Sequence, residues 1–140
     1  MIELRAQSFD AYAELQKFEA HLNIAACGAQ AVFVGRLRDF NAGEQVSSMF
    51  LEHYPGMTEK YLEQITAQAE AQWPWKHVLL VHRTGNLVLA EAIVLISVWS
   101  AHRAEAFAAC QFLIDELKHR APFWKREQLT EQTRWVESNS

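Results

Sequence analysis

Cysteine, proline and glycine are scarce in this chain, at two, three and five residues in 140. Cys27 and Cys110 make neither a disulfide framework nor a metal-ligand spacing, so both read as reduced thiols and no metal is expected. No apolar run approaches the roughly 20 residues that cross a bilayer. The start, Met1-Ile2-Glu3-Leu4-Arg5, has no apolar stretch behind a basic one. No signal peptide is therefore expected, and the cytoplasm is the expected location. Positive charge is not in excess either. A net charge of −4 and a pI near 5.8 argue against a generic nucleic-acid binder.

What is present is an ordinary globular composition, half hydrophobic and 21% charged. That excludes a disordered tail, a collagen-like fibre and a low-complexity linker. One domain spanning 1–140 is expected, large enough for a proper core. Ile2 and Leu4 start a short strand. Ala11, Leu15, Phe18 and Leu22 mark one face of a helix over 10–22. Ala31-Val32-Phe33-Val34 reads as a strand, and the turn-rich stretch 39–44 as a mobile loop. Val46 to Tyr54 is a strand stopped by Pro55-Gly56, and Thr58 is suited to cap a helix carrying Leu62, Ile65 and Ala69. Val78 to His82 is a further strand, followed by a turn at Thr84-Gly85-Asn86. Ile93 to Trp99 is almost wholly apolar and fits a central strand buried on both faces. Ser100 would cap the longest helix, about 101–120, with a buried stripe of Phe107, Cys110, Ile114 and Leu117. Phe123 to Val136 adds one or two strands. This order fits α+β, with a long helix from the C-terminal half packed on a mostly antiparallel sheet.

The cations are unevenly spread. Lys118, Arg120, Lys125 and Arg126 fall within nine residues that contain no acid. The first two close a helix, where cations meet the negative end of its dipole. That does not account for Lys125 and Arg126, which lie beyond Pro122 beside Phe123 and Trp124. Aromatics beside paired cations can line a pocket for a flat anion. Ser100-Ala101-His102-Arg103 sits at the opposite end of the same helix, where unpaired N–H groups favour an anion and cations oppose the dipole. Arg36 and Arg38 are two apart at the end of a strand, which would place two like charges on one face. His53 and His82 read as structural strand residues. His102 and Lys118 are 16 residues apart on one helix, about 24 Å at 1.5 Å per residue. One small ligand cannot touch both in a single chain. Either there are two sites, or a symmetric dimer brings one helix start to the other's helix end.

Gly35-Arg36-Leu37-Arg38, the block Leu51 to Lys60, Ser100-Ala101-His102-Arg103, the block Leu117 to Glu127, and Arg134-Trp135-Val136-Glu137 together carry a resemblance. From about Ala31 to Glu137 the chain resembles the large, catalytic subunit family of molybdopterin synthase. The resemblance implies an α+β fold with a hammerhead-like β subdomain. It implies an enzyme that converts cyclic pyranopterin monophosphate (precursor Z) to molybdopterin by adding two dithiolene sulfurs. The sulfur would come from the C-terminal thiocarboxylate of a small ubiquitin-like partner, with no cofactor. Two large subunits would form a central homodimer, with a small subunit on each, making a heterotetramer.

Carried over by motif, Lys118 and Lys125 are the implied catalytic residues. Arg36, Leu37, Arg38, His102, Arg103, Arg126 and Glu127 join them in binding substrate, with His102 and Arg103 reaching in from the neighbouring subunit. Phe33 would be a pocket wall. The all-cationic set suits two anions, and crowded cations depress a lysine's pKa. On this reading a partly neutral Lys118 acts as base or nucleophile and Lys125 stabilises developing negative charge. The chain departs from the family pattern at Leu89-Ala90, where a Pro-Gly turn is common, and at its uncharged end, Ser138-Asn139-Ser140. Two other readings compete: a non-catalytic module that holds a ubiquitin-like tail or a phosphate, and a single-stranded RNA binder stacking bases on Phe123 and Trp124.

Overall fold

A computed structural model describes residues 1–41, 43–129 and 133–136, with the backbone alone at positions 40, 41, 44, 45, 124, 126, 128 and 136. Two sheets share the chain. The first takes β1 (Ile2–Arg5), β2 (Ala29–Arg36), β5 (His77–Arg83) and β7 (Ala92–Ser100) in the order β1-β5-β7-β2. Only β1 and β5 run parallel; the other pairs are antiparallel.

All nine residues of β7 are buried, as its apolar run predicted. Successive side chains point to opposite faces of a strand. Ile96 and Val98 accordingly join the core under α2 (Met57–Gln72) and α3 (Arg103–His119), while Leu95 and Trp99 join the core under α1 (Ala11–Glu19). The sheet is thus covered on both sides. Leu62, Ile65 and Ala69 of α2 face inward as their spacing predicted.

The second sheet runs β3 (Phe40–Asn41), β4 (Glu44–His53), β8 (Phe123–Leu129), β9 (Thr133–Val136), with β6 (Gly85–Val88) also on β4. Leu37, Val46, Met49, Leu51, Leu87, Ile93 and Leu129 form its core. The resemblance implied a hammerhead-like β subdomain, and this second sheet has a core of its own. The fold class is α+β, as expected.

Five local expectations change. The expected loop over 39–44 carries strand pairing instead, with Phe40 and Asn41 paired to Gln45 and Glu44. The turn expected at Thr84-Gly85-Asn86 leads straight into β6, which opens at Gly85. Thr58 is not a cap. It is buried, its hydroxyl accepting from the Tyr54 N–H and donating to the Pro122 carbonyl, each at 3.0 Å, and Gly56 occupies the cap position. Ser100 is the last residue of β7, and its hydroxyl donates to the His102 carbonyl at 2.6 Å. The stripe on α3 is Ala106, Ala109, Cys110, Leu113, Ile114 and Leu117, and Phe107 is 67% exposed. Small alanines let the helix lie close to the sheet, so they and not the phenylalanine mark the contact face.

Ala90 has φ +68 in the turn between β6 and β7. For a residue with a Cβ, the left-handed region costs about 1–2 kcal/mol. Glycine removes that cost but returns part of it as unfolded-state entropy. Ala90→Gly is therefore expected to stabilise the chain by about 0.5–1 kcal/mol, read as a higher urea midpoint with an unchanged slope.

Candidate functional site

Phe123, the first residue of β8, packs against both the helix-covered core and the core of the second sheet. Lys118 sits in the last turn of α3. Thr58 holds the start of α2 to Pro122, and from there β8 pairs along β4 with Phe123 opposite His53 and Lys125 opposite Leu51. The two longest blocks of the resemblance are thus one piece of structure. They carry Lys125 into the interior.

Burial pushes the Lys125 ammonium down to about 8, with nearby Lys118 adding repulsion and Glu127 opposing the shift. Burial also lowers Lys118, followed by repulsion from Arg38 and offset in part by Asp115. Like charges in a partly dry site disfavour the protonated form. Arg38 acts on Lys118 and Lys118 on Lys125, so the three form one coupled set, and the buried Lys125 is shifted furthest.

Glu127 is 1% exposed and pairs with Arg134, Nε to carboxylate 2.9 Å. It lies two residues from Lys125 on β8, on the same strand face. Phe33 is half-buried at the margin of the helix-covered core.

Other expected site residues lie elsewhere. A bulge between Gly35 and Arg36 breaks the strand alternation. Arg36 donates to the Ala90 carbonyl at 3.0 Å, while Arg38 lies close enough to Lys118 to repel it. Leu37 is buried in the second core, and its N–H and carbonyl pair with Glu91 and Ala90, which ties it to the turn before β7. His102 and Arg103 are exposed at the far end of α3, about 24 Å of helix from Lys118. Gly28 packs beneath that corner, where a Cβ would clash with the Ala101 carbonyl. The side chains of Arg126 and Trp124, and residues 137–140, lie outside the described residues.

Two residues were not singled out from sequence for the site. His82 is buried and stacked on Phe123, ring centroids 4.0 Å apart and planes 12° apart. Its Nδ1 meets the Arg83 carbonyl at 2.8 Å. Burial holds this imidazole near 4, so it stays neutral, and Lys125 and His53 push the same way. The structural role expected of His82 holds. The other residue not singled out is Arg83, a buried cation at the end of β5.

The model of the MoaE protein family matches residues 5–120, most of the chain. The chain belongs to the MoaE family. A Vibrio cholerae relative named molybdopterin synthase catalytic subunit is 50% identical over 123 residues, covering 88% of this chain and 82% of that one. The solved MoaE protein from Burkholderia ambifaria, described as a molybdopterin biosynthesis protein, is 44% identical. It matches with a TM-score of 0.81 over 100% of this chain and 90% of its own. A Helicobacter pylori structure, a complex of subunits 1 and 2 of molybdopterin-converting factor, matches at 19% identity with a TM-score of 0.79 over 99% of this chain and 92% of that one; that likeness is one of fold. MoaE membership makes this chain an enzyme of molybdenum cofactor biosynthesis, of the molybdopterin synthase catalytic-subunit kind. No helix among the described residues is long and apolar enough to cross a membrane.

Proposed function

We propose that this chain transfers sulfur from the C-terminal thiocarboxylate of a small ubiquitin-like subunit to cyclic pyranopterin monophosphate, giving the dithiolene of molybdopterin. The observation that carries the reading is the trio Arg38, Lys118 and Lys125, with both amines depressed. Two anions, a cyclic phosphate and a thiocarboxylate, must be brought together. A preorganised cationic site lowers the entropic and electrostatic cost of that encounter. Sulfur transfer also needs a group that exchanges protons near neutral pH, and a lysine near 8 does so.

The two amines titrate as a coupled pair. Burial favours loss of the first proton from Lys125, leaving Lys118 cationic beside Arg38. That exchanges the roles assigned to the two lysines from sequence. No cofactor is required, because the partner delivers the sulfur. The chain works as a homodimer with one small subunit on each large subunit, in the cytoplasm. Relatives named as catalytic subunits are consistent with a partner.

The test mixes this chain with a thiocarboxylated small subunit and cyclic pyranopterin monophosphate and assays the dithiolene product. Product at multiple turnovers supports the reading. A stable complex without product would favour the non-catalytic tail-binding module instead.

The pH dependence has a definite sign. Turnover is expected to rise through an apparent pKa near 8 as Lys125 loses its proton, falling about tenfold per unit well below it. Removing Lys118 takes away a repelling charge, so Lys118→Ala should raise the Lys125 pKa, read by NMR titration of its side chain. Stability follows the same group. Lys125 is lowered on folding, so its burial costs most below about 8, and stability recovers as pH climbs from about 8 toward 10.5. A flat pH–rate profile across 7 to 9 would exclude a titrating lysine.

A further inference from the structure

Arg83 and Glu91 form an ion pair between the end of β5 and the turn before β7, with Arg83 only 3% exposed. The second Arg83 nitrogen donates to the carbonyls of Asn86 at 2.7 Å and Ala6 at 3.2 Å. Arg83 Nε has no hydrogen-bond partner among the described residues. The other Glu91 oxygen accepts from the Val88 N–H at 2.7 Å, which closes the turn that holds Ala90 left-handed. From that turn the main chain grips Leu37 on both sides. The Leu37 N–H donates to the Glu91 carbonyl at 3.0 Å, and the Ala90 N–H donates to the Leu37 carbonyl at 2.8 Å. Arg36 adds its own bond to the Ala90 carbonyl. Arg38 is the next residue along.

A buried ion pair is a poor source of net stability, because desolvating both charges offsets most of their attraction. Backbone strain such as that at Ala90 persists where the surroundings over-determine it, and such places cluster at functional sites. Both features sit in one connected path that ends one residue short of the cation that repels Lys118.

We propose that Arg83 and Glu91 are positioning residues that set Arg38 for anion binding, acting through the 88–91 turn and Leu37. This rests on the reading of Arg38, Lys118 and Lys125 as an anion site. Neither residue touches the anion. The ion pair fixes the turn, the turn fixes residue 37, and residue 37 fixes the direction in which the chain presents Arg38.

The experiment is a double-mutant cycle on inorganic phosphate affinity, followed by NMR titration of the whole chain. Glu91→Gln keeps the side-chain shape and removes the charge. It is expected to weaken phosphate binding about fivefold, the worth of one hydrogen bond. In an Arg38→Ala background, Glu91→Gln should cost nothing further, because its effect passes through Arg38. Equal losses in both backgrounds would mean that Glu91 acts on general stability, and would overturn the proposal. So would unchanged affinity in a folded Glu91→Gln chain, or a wild-type chain that binds no phosphate. If Glu91→Gln does not fold, Glu91→Asp, which keeps the charge and shortens its reach, takes its place in the same cycle. Phosphate binding needs neither partner nor turnover. A wild-type chain that shows this pattern yet makes no dithiolene product would defeat the sulfur-transfer reading and leave the positioning role standing.

Discussion

Lys118→Ala should lower turnover about a thousandfold while leaving the small subunit bound. The size follows from what the residue supplies. A preorganised cation that stabilises developing negative charge is worth about 10²–10³ in rate. Its loss also raises the Lys125 pKa, which leaves less of the neutral amine at a given pH. The fold should not suffer. Lys118 is half-exposed, one residue past Leu117, the last of the α3 stripe. Removing a charge repelled by its neighbours costs the native state nothing. Interface energy is concentrated in a few buried aromatic and arginine anchors, so a half-exposed lysine supplies little of the partner affinity. The assay is single-turnover product formation beside a binding isotherm for the small subunit. Turnover near wild type would remove Lys118 from the chemistry. Loss of binding in proportion to rate would make it a docking residue instead.

Much of this site was legible because its chemistry is dense in sequence. Lys118 and Lys125 stand in a nine-residue cationic stretch, and the β7 run could only be a buried central strand. What stayed hidden depended on partners far along the chain. Thr58 looks like a cap until Pro122, 64 residues on, takes its hydroxyl. Arg36 and Arg38 look like one face until the bulge at Gly35 separates them. Phe107 completes a helical spacing as well as Leu113 does, and only the sheet beneath decides which is covered. Arg83 and Glu91 are eight apart and unremarkable in sequence. Their pairing is visible only once β6 has folded back onto β4.

Helix length sets the largest recoverable effect. The α3 helix runs from Arg103 to His119, so His102 and Lys118 stand at its opposite ends. If both serve one anion site, the site is shared between two copies of the chain. His102→Ala combined with Arg103→Ala should then be nearly inactive, and Lys118→Ala likewise. Mixing the two variants and letting subunits exchange should restore activity. Half of the dimers would be mixed, and each mixed dimer would hold one site with wild-type Lys118 from one chain and wild-type His102 and Arg103 from the other. Its second site would carry both defects. The expected recovery is about a quarter of wild-type turnover per chain, from a starting level near zero. Activity that stays near zero after proven exchange, or a fully active monomer by light scattering, would confine each site to one chain. His102 and Arg103 would then belong to a separate surface, and the anion would be held by Arg38, Lys118 and Lys125 alone.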